Sequence, residues 1–427
     1  MKSVLLIGVM SAAILAAPIA IAQDLVIRGA TVHTVAAQGT INNSDVLVRD
    51  GMIAAVGAKL AVPPGATVIE ARGRPLTPGL FGGLTAIGIE EVSQEPTTVD
   101  STLNQGAPGW NQQWRPELDL TLGFNPRSVL VPVARVEGIT WTVLTQGLGD
   151  ADSGIETDSI IGGQGAAVTL DGRFDAVLRG SRVLLVQMGS AGARLAGGTR
   201  AAEYMLLDQA IREARAQGPA GNGALLHAAG REALARYLAG SRVVFRVDRA
   251  ADILQVVGFS RRNGMSPVIS GGSEAWVVAR QLAAAGVPVI LDPLGDLPED
   301  FDHLAATLDN AVRLQRAGVR IAFSGGDGHN ARLVRQLAGN AVAHGLPWDA
   351  ALAAITANPA DIIGLGASRG RIAVGQAADL VLWSADPLEV TSLADQVWIA
   401  GQPIEMRSRQ TELRDRYLER LKQHQAR

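Results

Sequence analysis

Five times between Ser181 and Gly345, a short and nearly continuous apolar run is followed by an amphipathic segment. "SRVLLVQMG" precedes "RAAEYMLLDQAIREARAQ", and "SRVVFRVD" precedes "RAADILQVVGFSRRNG". "SPVISGG", "VPVILDP" and "VRIAFSGGD" lead into "SEAWVVARQLAAAG", "FDHLAATLDNAVRLQRAG" and "HNARLVRQLAGNAVAHG". A strand buried on both faces reads as an unbroken apolar run, and the helix that crosses over it carries one apolar stripe. Such units in series predict a parallel α/β architecture, either a barrel or a doubly wound sheet. Leu80 to Ile89, Trp141 to Gln146 and Ile160 to Val168 supply further strands, and a total of eight favours the barrel. Ser273 is placed as a helix N-cap with Glu274 behind it, and Gly286 just past that helix end.

The flanks read differently. "DLVIRGATVHTV", "DVLVRDGMIAAVG" and "ATVIEARG" are short β segments, and Asp50-Gly51 suits a tight hairpin because glycine accepts a positive φ without steric cost. "GRIAVGQAADLVLWSADP" and "DQVWIAGQPIEM" repeat that texture nearly three hundred residues later. One small β-sandwich domain built from both chain ends is the expectation. The glycine runs "IIGGQGAA" and "GSAGARLAGG" lack the Gly-Lys-Ser/Thr of a phosphate loop and read as turns with close backbone approach. In the tail, "QTELRDRYLERLKQ" puts Leu413, Tyr417 and Leu421 on one helical face, for packing on its own subunit or on a partner.

Composition narrows the function classes. The chain has 427 residues, 47% hydrophobic and 19% charged, with a formal net charge of -3. A chain of this length buries roughly three quarters of its unfolded surface, enough for one large core and a smaller domain. No basic, aromatic-rich patch is present, which argues against a nucleic-acid partner. With no Cys, stability rests on the core alone. Residues 1–22 have the form of a signal peptide: Lys2, an apolar run from Val4 to Ala17, and Ala20-Ile21-Ala22 before Gln23. The expectation is an exported protein, periplasmic or secreted, with no membrane span in the mature chain; an uncleaved anchor is the other reading.

The words "GATVHTV", "VLVRDGMIAAVG", "ATVIEARGRPLTPGL", "RIAFSGGDGHN" and "ALAAITANPADIIGLGASRGRIAVGQAADLVLWSADP" resemble the amidohydrolase superfamily, in its imidazolonepropionase-like and prolidase-like branch. The resemblance runs over nearly all of the mature chain. It implies a distorted (β/α)8 TIM-type barrel over 79–365, a β-sandwich over 23–78 and 366–405, and a C-terminal helix or tail over 406–427. The chemistry it implies is metal-dependent hydrolysis of amide-type C–N bonds.

The donor atoms of that chemistry are missing from the matching positions. In the family a His-x-His pair ends the first barrel strand; here the positions are Leu84 and Ala86. The lysine that bridges two metals in the family has no counterpart, because Lys2, Lys59 and Lys422 all lie outside the barrel. Where the fifth and sixth strands would bring histidines, the chain has Arg246 and Asp248, then Ser270 and Gly271. The six histidines, His33, His227, His303, His329, His344 and His424, are elsewhere.

What survives is Asp327, which matches the family's metal-binding and proton-moving acid. It is a candidate general base, or a structural cap for a helix starting near Asn330. His329 beside it is a catalytic candidate or a loop histidine. Asp248 reads as a pocket residue or as the cap of the next helix, with Asp252 complementing that helix's dipole and Glu274 a first-turn acid. Glu90 and Glu91 read as loop. Arg246, Asp248, Trp110 and Trp114 are pocket candidates, the tryptophans belonging to a polar insertion, Glu90 to Leu120, expected over the barrel mouth.

No Ser-His-Asp spacing is recognisable. The expectation is therefore a family member with a degenerate centre, a pseudoenzyme candidate with no cofactor. It would bind a small molecule in the barrel mouth, or assemble as a homo-oligomer or with an active relative. The alternative is an active C–N hydrolase with a reduced site around Asp327 holding a single divalent metal such as zinc.

Overall fold

The computed structural model describes residues 24–101, 103, 114–146, 159–218, 221, 223–325 and 328–425. The signal-like residues 1–22, Trp110 and Asp327 lie outside them. No helix among the described residues is long and apolar enough to cross a membrane.

Both chain ends build one sheet. Its strands are β1 (Leu25–His33), β2 (Thr40–Arg49), β3 (Met52–Gly57), β4 (Thr67–Glu70) and β5 (Pro75–Pro78) from the N-terminal side. From the C-terminal side come β15 (Leu380–Trp383), β16 (Ala394–Ile399) and β17 (Gln402–Pro403). The order is β17-β16-β15-β5-β1-β2-β3, with β4 on β1. The β2–β3 hairpin turns at Asp50 (φ 48) and Gly51 (φ 76), both in the left-handed region that a two-residue turn of this hand requires. Gly51 is fixed a second way, since a Cβ there would stand 2.7 Å from the carbonyl oxygen of Ala400. A small core of Ile27, Val32, Ile53, Leu76, Leu380 and Trp398 fills this sheet's inner face.

The middle of the chain forms the strand–helix part. It contains β6 (Leu80–Thr85), β7 (Ile139–Leu144), β8 (Ile161–Gly165), β9 (Ala167–Thr169) and β10 (Val183–Gln187). These are followed by β11 (Arg242–Val247), β12 (Ser266–Gly271), β13 (Val289–Leu291) and β14 (Ile321–Phe323). β10 to β14 run parallel, in the order β14-β13-β12-β11-β10-β8, with β8 antiparallel to β10. β6, β7 and β9 make a second sheet. The two sheets touch along both edges. Leu84 N–H donates to Ser324 Oγ at 2.9 Å between β6 and the end of β14, and Leu144 N–H donates to Ala166 O at 2.9 Å between β7 and the β8–β9 link.

Several local expectations change. The run "IIGGQGAA" supplies strands β8 and β9 rather than turns, and its glycines admit backbone: a Cβ on Gly165 would meet Leu144 O at 1.9 Å. "GSAGARL" is a short helix, Gly189–Leu195. The helix expected across 301–318 is confined to Asn310–Arg316, because Asp302 and Ala305 are drawn into contacts with neighbouring loops. Ser273 is not an N-cap. A 3-10 turn, Ala275–Val278, follows Glu274, and the helix proper is Ala279–Ala285, ending at Gly286 with φ 64 as expected.

The two parts meet over Trp383 and Arg335. The Trp383 indole is fully buried and donates from Nε1 to Thr77 Oγ1 at 2.8 Å. The Arg335 guanidinium lies 4.8 Å from the Trp383 ring centroid and donates to the carbonyls of Pro387, Glu389 and Ser392 and to Glu137.

Candidate functional site

In a parallel sheet, residues in register share a face, and residues two apart along a strand return to it. Gln187 on β10 is in register with Arg246 on β11, and Arg246 with Ser270 on β12. These three form a polar row at the carboxyl ends of adjacent strands. Ser270 is in turn level with Ile290 and Ala322. One step beyond stand Asp248, Asp292 and Ser324. Below the row the same face is apolar, with Leu185, Val244 and Val268 buried. The opposite face, Phe245, Val247, Ile269, Leu291 and Phe323, joins Ile253, Val256 and Phe259 of the helices in one core. The carboxyl ends of parallel strands are where α/β folds of this kind place their ligands.

Asp248, Asp252 and Asp302, the acids nearest the row, are partnered, while one arginine on the row is not. Asp248 Oδ1 accepts from Ser273 N–H at 3.2 Å and Ser273 Oγ at 3.0 Å, and Oδ2 faces His303 Nε2 at 3.6 Å. Asp248 thus binds the neighbouring strand's loop instead of capping the helix Ala250–Asn263. That cap comes from Glu274, whose Oε2 accepts from Ala250 N–H and whose Oε1 accepts from Ala305 N–H, each at 3.0 Å. The two acids have exchanged the roles their sequence positions suggest.

Asp252 stays in the first turn of the Ala250–Asn263 helix and takes Arg200 at 2.7 Å and Arg249 at 2.9 Å. Arg200 also pairs with Asp302, which accepts from Ser190 N–H at 2.7 Å. Glu203 is 1% exposed inside this cluster, and burial, with the nearby Asp252 charge, pushes its carboxyl up to about 8. His303 Nδ1 lies 2.6 Å from Asp300. Burial draws the imidazole down, but the Asp300 hydrogen bond and the Asp248 and Glu299 charges outweigh it, so His303 titrates above its ordinary range.

The exception is Arg246. Its guanidinium is half-buried and pairs with no carboxylate among the described residues. Ser270 is 5% exposed, and its hydroxyl likewise has no hydrogen-bond partner among them. Gln187 donates from its amide to Met188 O at 3.3 Å.

Asp292 escaped the reading of the sequence, although "VPVILDP" carries the same signal as "FRVD": an acid directly after an apolar run. It is open to solvent, yet the protein packed around it lifts its carboxyl above the usual range, against the 2.8 Å hydrogen bond from Leu294 N–H. The backbone at Gly325 passes close by, since a Cβ there would sit 2.8 Å from Asp292 Oδ2.

The remaining candidates disperse. Leu84 is 1% exposed and Ala86 2%, both in the apolar core. His329 is exposed in the 3-10 turn Gly328–Leu333. Trp114 is 2% exposed and its N–H donates to Leu225 O at 2.8 Å, so it is packed rather than lining an opening. Glu90 accepts from Ser101 Oγ at 3.2 Å in its loop.

The amidohydrolase family matches over residues 173–404, more than half of the chain. The chain belongs to the amidohydrolase family. A stretch of 58 residues is 50% identical to amidohydrolase tasK of Hapsidospora irregularis, 14% of this chain and only 6% of that protein's length. Among solved structures, an amidohydrolase from Thermotoga maritima MSB8 superimposes with a TM-score of 0.76 at 22% identity, covering 90% of this chain and all of the other. A prolidase solved with N-methylphosphonate-L-proline gives 0.54 at 15% identity over 90% of this chain and all of the other. A zinc-bound adenosine deaminase from Xanthomonas campestris gives 0.51 at 18% identity over 89% of this chain and 92% of the other. These likenesses establish a TIM-barrel-type α/β fold, and membership ties the chain to hydrolases of C–N bonds that typically use a divalent metal such as zinc.

The strand-end donor set can be tested against such a metal. A zinc-type centre needs several nitrogen or oxygen lone pairs converging on one point. Leu84 and Ala86 offer none, Arg246 brings a positive charge, and Asp248 Oδ1 already accepts twice from Ser273. No three His, Asp, Glu or Cys groups that could hold a metal gather among the described residues. The described residues do not fit the family's metal.

Proposed function

We propose that this amidohydrolase-family chain is a small-molecule-binding member without the family's metal-dependent hydrolysis, acting as a binding or partner subunit. Its two strand–helix sheets would make the distorted TIM-type barrel, with the two-ended sheet as the sandwich domain at its base. The observation that carries the reading is the row Gln187–Arg246–Ser270. A guanidinium stands at strand ends where the family's chemistry calls for cation ligands, and a fixed positive charge opposes a divalent ion held nearby. Zinc lowers the pKa of its bound water by roughly eight or nine units, and without it the hydrolytic step loses its nucleophile.

Export of the mature chain from Gln23 belongs to the same proposal, supported by the form of residues 1–22. So does a subunit contact through the helix Arg409–Gln425, whose Tyr417 and Leu421 are 60% and 54% exposed.

The test is elemental analysis of the purified protein for zinc, manganese and iron, alongside hydrolysis assays on dipeptides and N-acyl amino acids with and without added metal. The expected outcome is far less than one metal per chain and no metal-dependent turnover. Stoichiometric metal that disappears in Asp327→Ala would establish the second reading instead, an active C–N hydrolase with a reduced site around Asp327 and His329. One observation favours that second reading: Asp292, with its raised carboxyl, lies against Gly325, two residues before Asp327.

A further inference from the structure

Three arginines near the strand ends are spoken for. Arg200 holds Asp252 and Asp302, Arg249 holds Asp252, and Arg313 holds Asp309 at 2.9 Å. Arg246 is half-buried on the ligand-facing end of β11 with no such partner among the described residues. Asp248, two residues on, makes no ion pair with it: its Oδ1 accepts from Ser273 and its Oδ2 faces His303 Nε2 at 3.6 Å. A guanidinium that is partly buried and has no counter-charge in the protein is free to take an anion arriving from solution.

The groups beside Arg246 specify which anion. Adjacent parallel strands stand roughly 4.8 Å apart, so Ser270 and Gln187 lie level with Arg246 on the strands to either side. Together they present charged and neutral donors to a planar group with two acceptor oxygens. A guanidinium matches a carboxylate in that bidentate geometry. The apolar floor of Leu185, Val244 and Val268 keeps water from beneath the pair, which strengthens it. Asp292 and Asp248 rim the row, so a second negative charge on the ligand would meet repulsion. A monoanion fits better than a phosphate dianion.

We propose that Arg246, Ser270 and Gln187 form a binding site for the carboxylate of a small organic acid, so that the strand ends grip an anion where the family's chemistry calls for a cation. This rests on the reading that no metal occupies these strand ends. The remainder of the acid would extend towards Asp292 at the end of β13.

Ligand-observed NMR titrations of the full mature protein at neutral pH test it, using N-acetylglycine, its uncharged methyl ester, propionate and inorganic phosphate. N-acetylglycine and propionate should bind, with the ester and phosphate at least about tenfold weaker, as expected for loss of a charge-assisted hydrogen bond. Arg246→Gln should weaken N-acetylglycine by at least about tenfold, Ser270→Ala by less, and Arg246→Lys should retain part of the affinity. Thermal melts matching the parent protein show that the variants fold.

Equal binding of the ester, a preference for phosphate, or indifference to Arg246→Gln would overturn the site. Metal content is read separately. Stoichiometric metal with intact carboxylate binding would overturn the function proposed above and leave this site standing, whereas a metal-free protein indifferent to carboxylates would overturn this site alone.

Discussion

The two arginine-rich regions of this molecule are built on opposite rules. At the junction between the two-ended sheet and the strand–helix part, Arg369 is 8% exposed and pairs with Asp379, 4% exposed, which also accepts from Ala400 N–H at 2.8 Å. Arg335 next door spends its guanidinium on three carbonyls, a carboxylate and an indole face. At the strand ends, Arg246 is left without a protein anion among the described residues. Buried charge that the fold pairs with its own carboxylates is there for the fold. Charge that the fold leaves unpaired is available to something else.

The comparison breaks first where its effect is largest. Asp379→Ala should cost about 3–5 kcal/mol in urea denaturation, because it strands the Arg369 charge in an apolar surround. A cost near zero would mean that the junction does not depend on its ion pair.

Glu203→Gln tests the cluster between the two regions, and its sign is opposite. The native carboxyl titrates near 8, above the ordinary carboxylate range, so the folded state holds its proton longer than the unfolded chain does. Stability from this group falls as pH rises from the ordinary range towards 8. The variant should melt about 2–4 °C higher than the parent at pH 8.5, with little difference at pH 4.5. Equal melting at both pH values would show that Glu203 finds a compensating partner.

His303 gives a smaller signal of the reverse kind. Its raised pKa means that its ties to Asp300 and Asp248 are complete below the ordinary histidine range and are lost as pH climbs through the native value. Hydrogen exchange over residues 292–309 should be slower at pH 6 than at pH 8.5 after correction for intrinsic rates. The difference should be on the order of 0.5–1 kcal/mol and should vanish in His303→Ala. The smallest effect is expected at the mouth itself. Arg246→Gln should change stability by less than about 0.5 kcal/mol, and a loss of several would move Arg246 into the same class as Arg369.

The strand–helix units and the two-ended sheet were legible in the sequence because each rests on a local pattern. Val243 to Val247 is apolar enough to be a buried strand on its own, and Asp50-Gly51 specifies a hairpin by backbone conformation alone. The exchange of roles between Asp248 and Glu274 was not legible, since it depends on which loop each strand's neighbour presents. Gln187 and Ser270 drew no notice as a pair with Arg246 for the same reason: their adjacency exists only once three strands are in register. Asp292 could have been found by comparing the strand ends with one another.

The way β5 is sandwiched between β1 and β15 has a consequence for biosynthesis. Residues 75–78 offer one edge to a strand made early and the other to residues 380–382, which leave the ribosome some three hundred residues later. Until then the Thr77 hydroxyl lacks its indole, and the first five strands form an unfinished edge. A polypeptide arranged like this stays short of its native state until translation is nearly over, which would suit the export proposed above, since a chain threaded through a translocon must not set early.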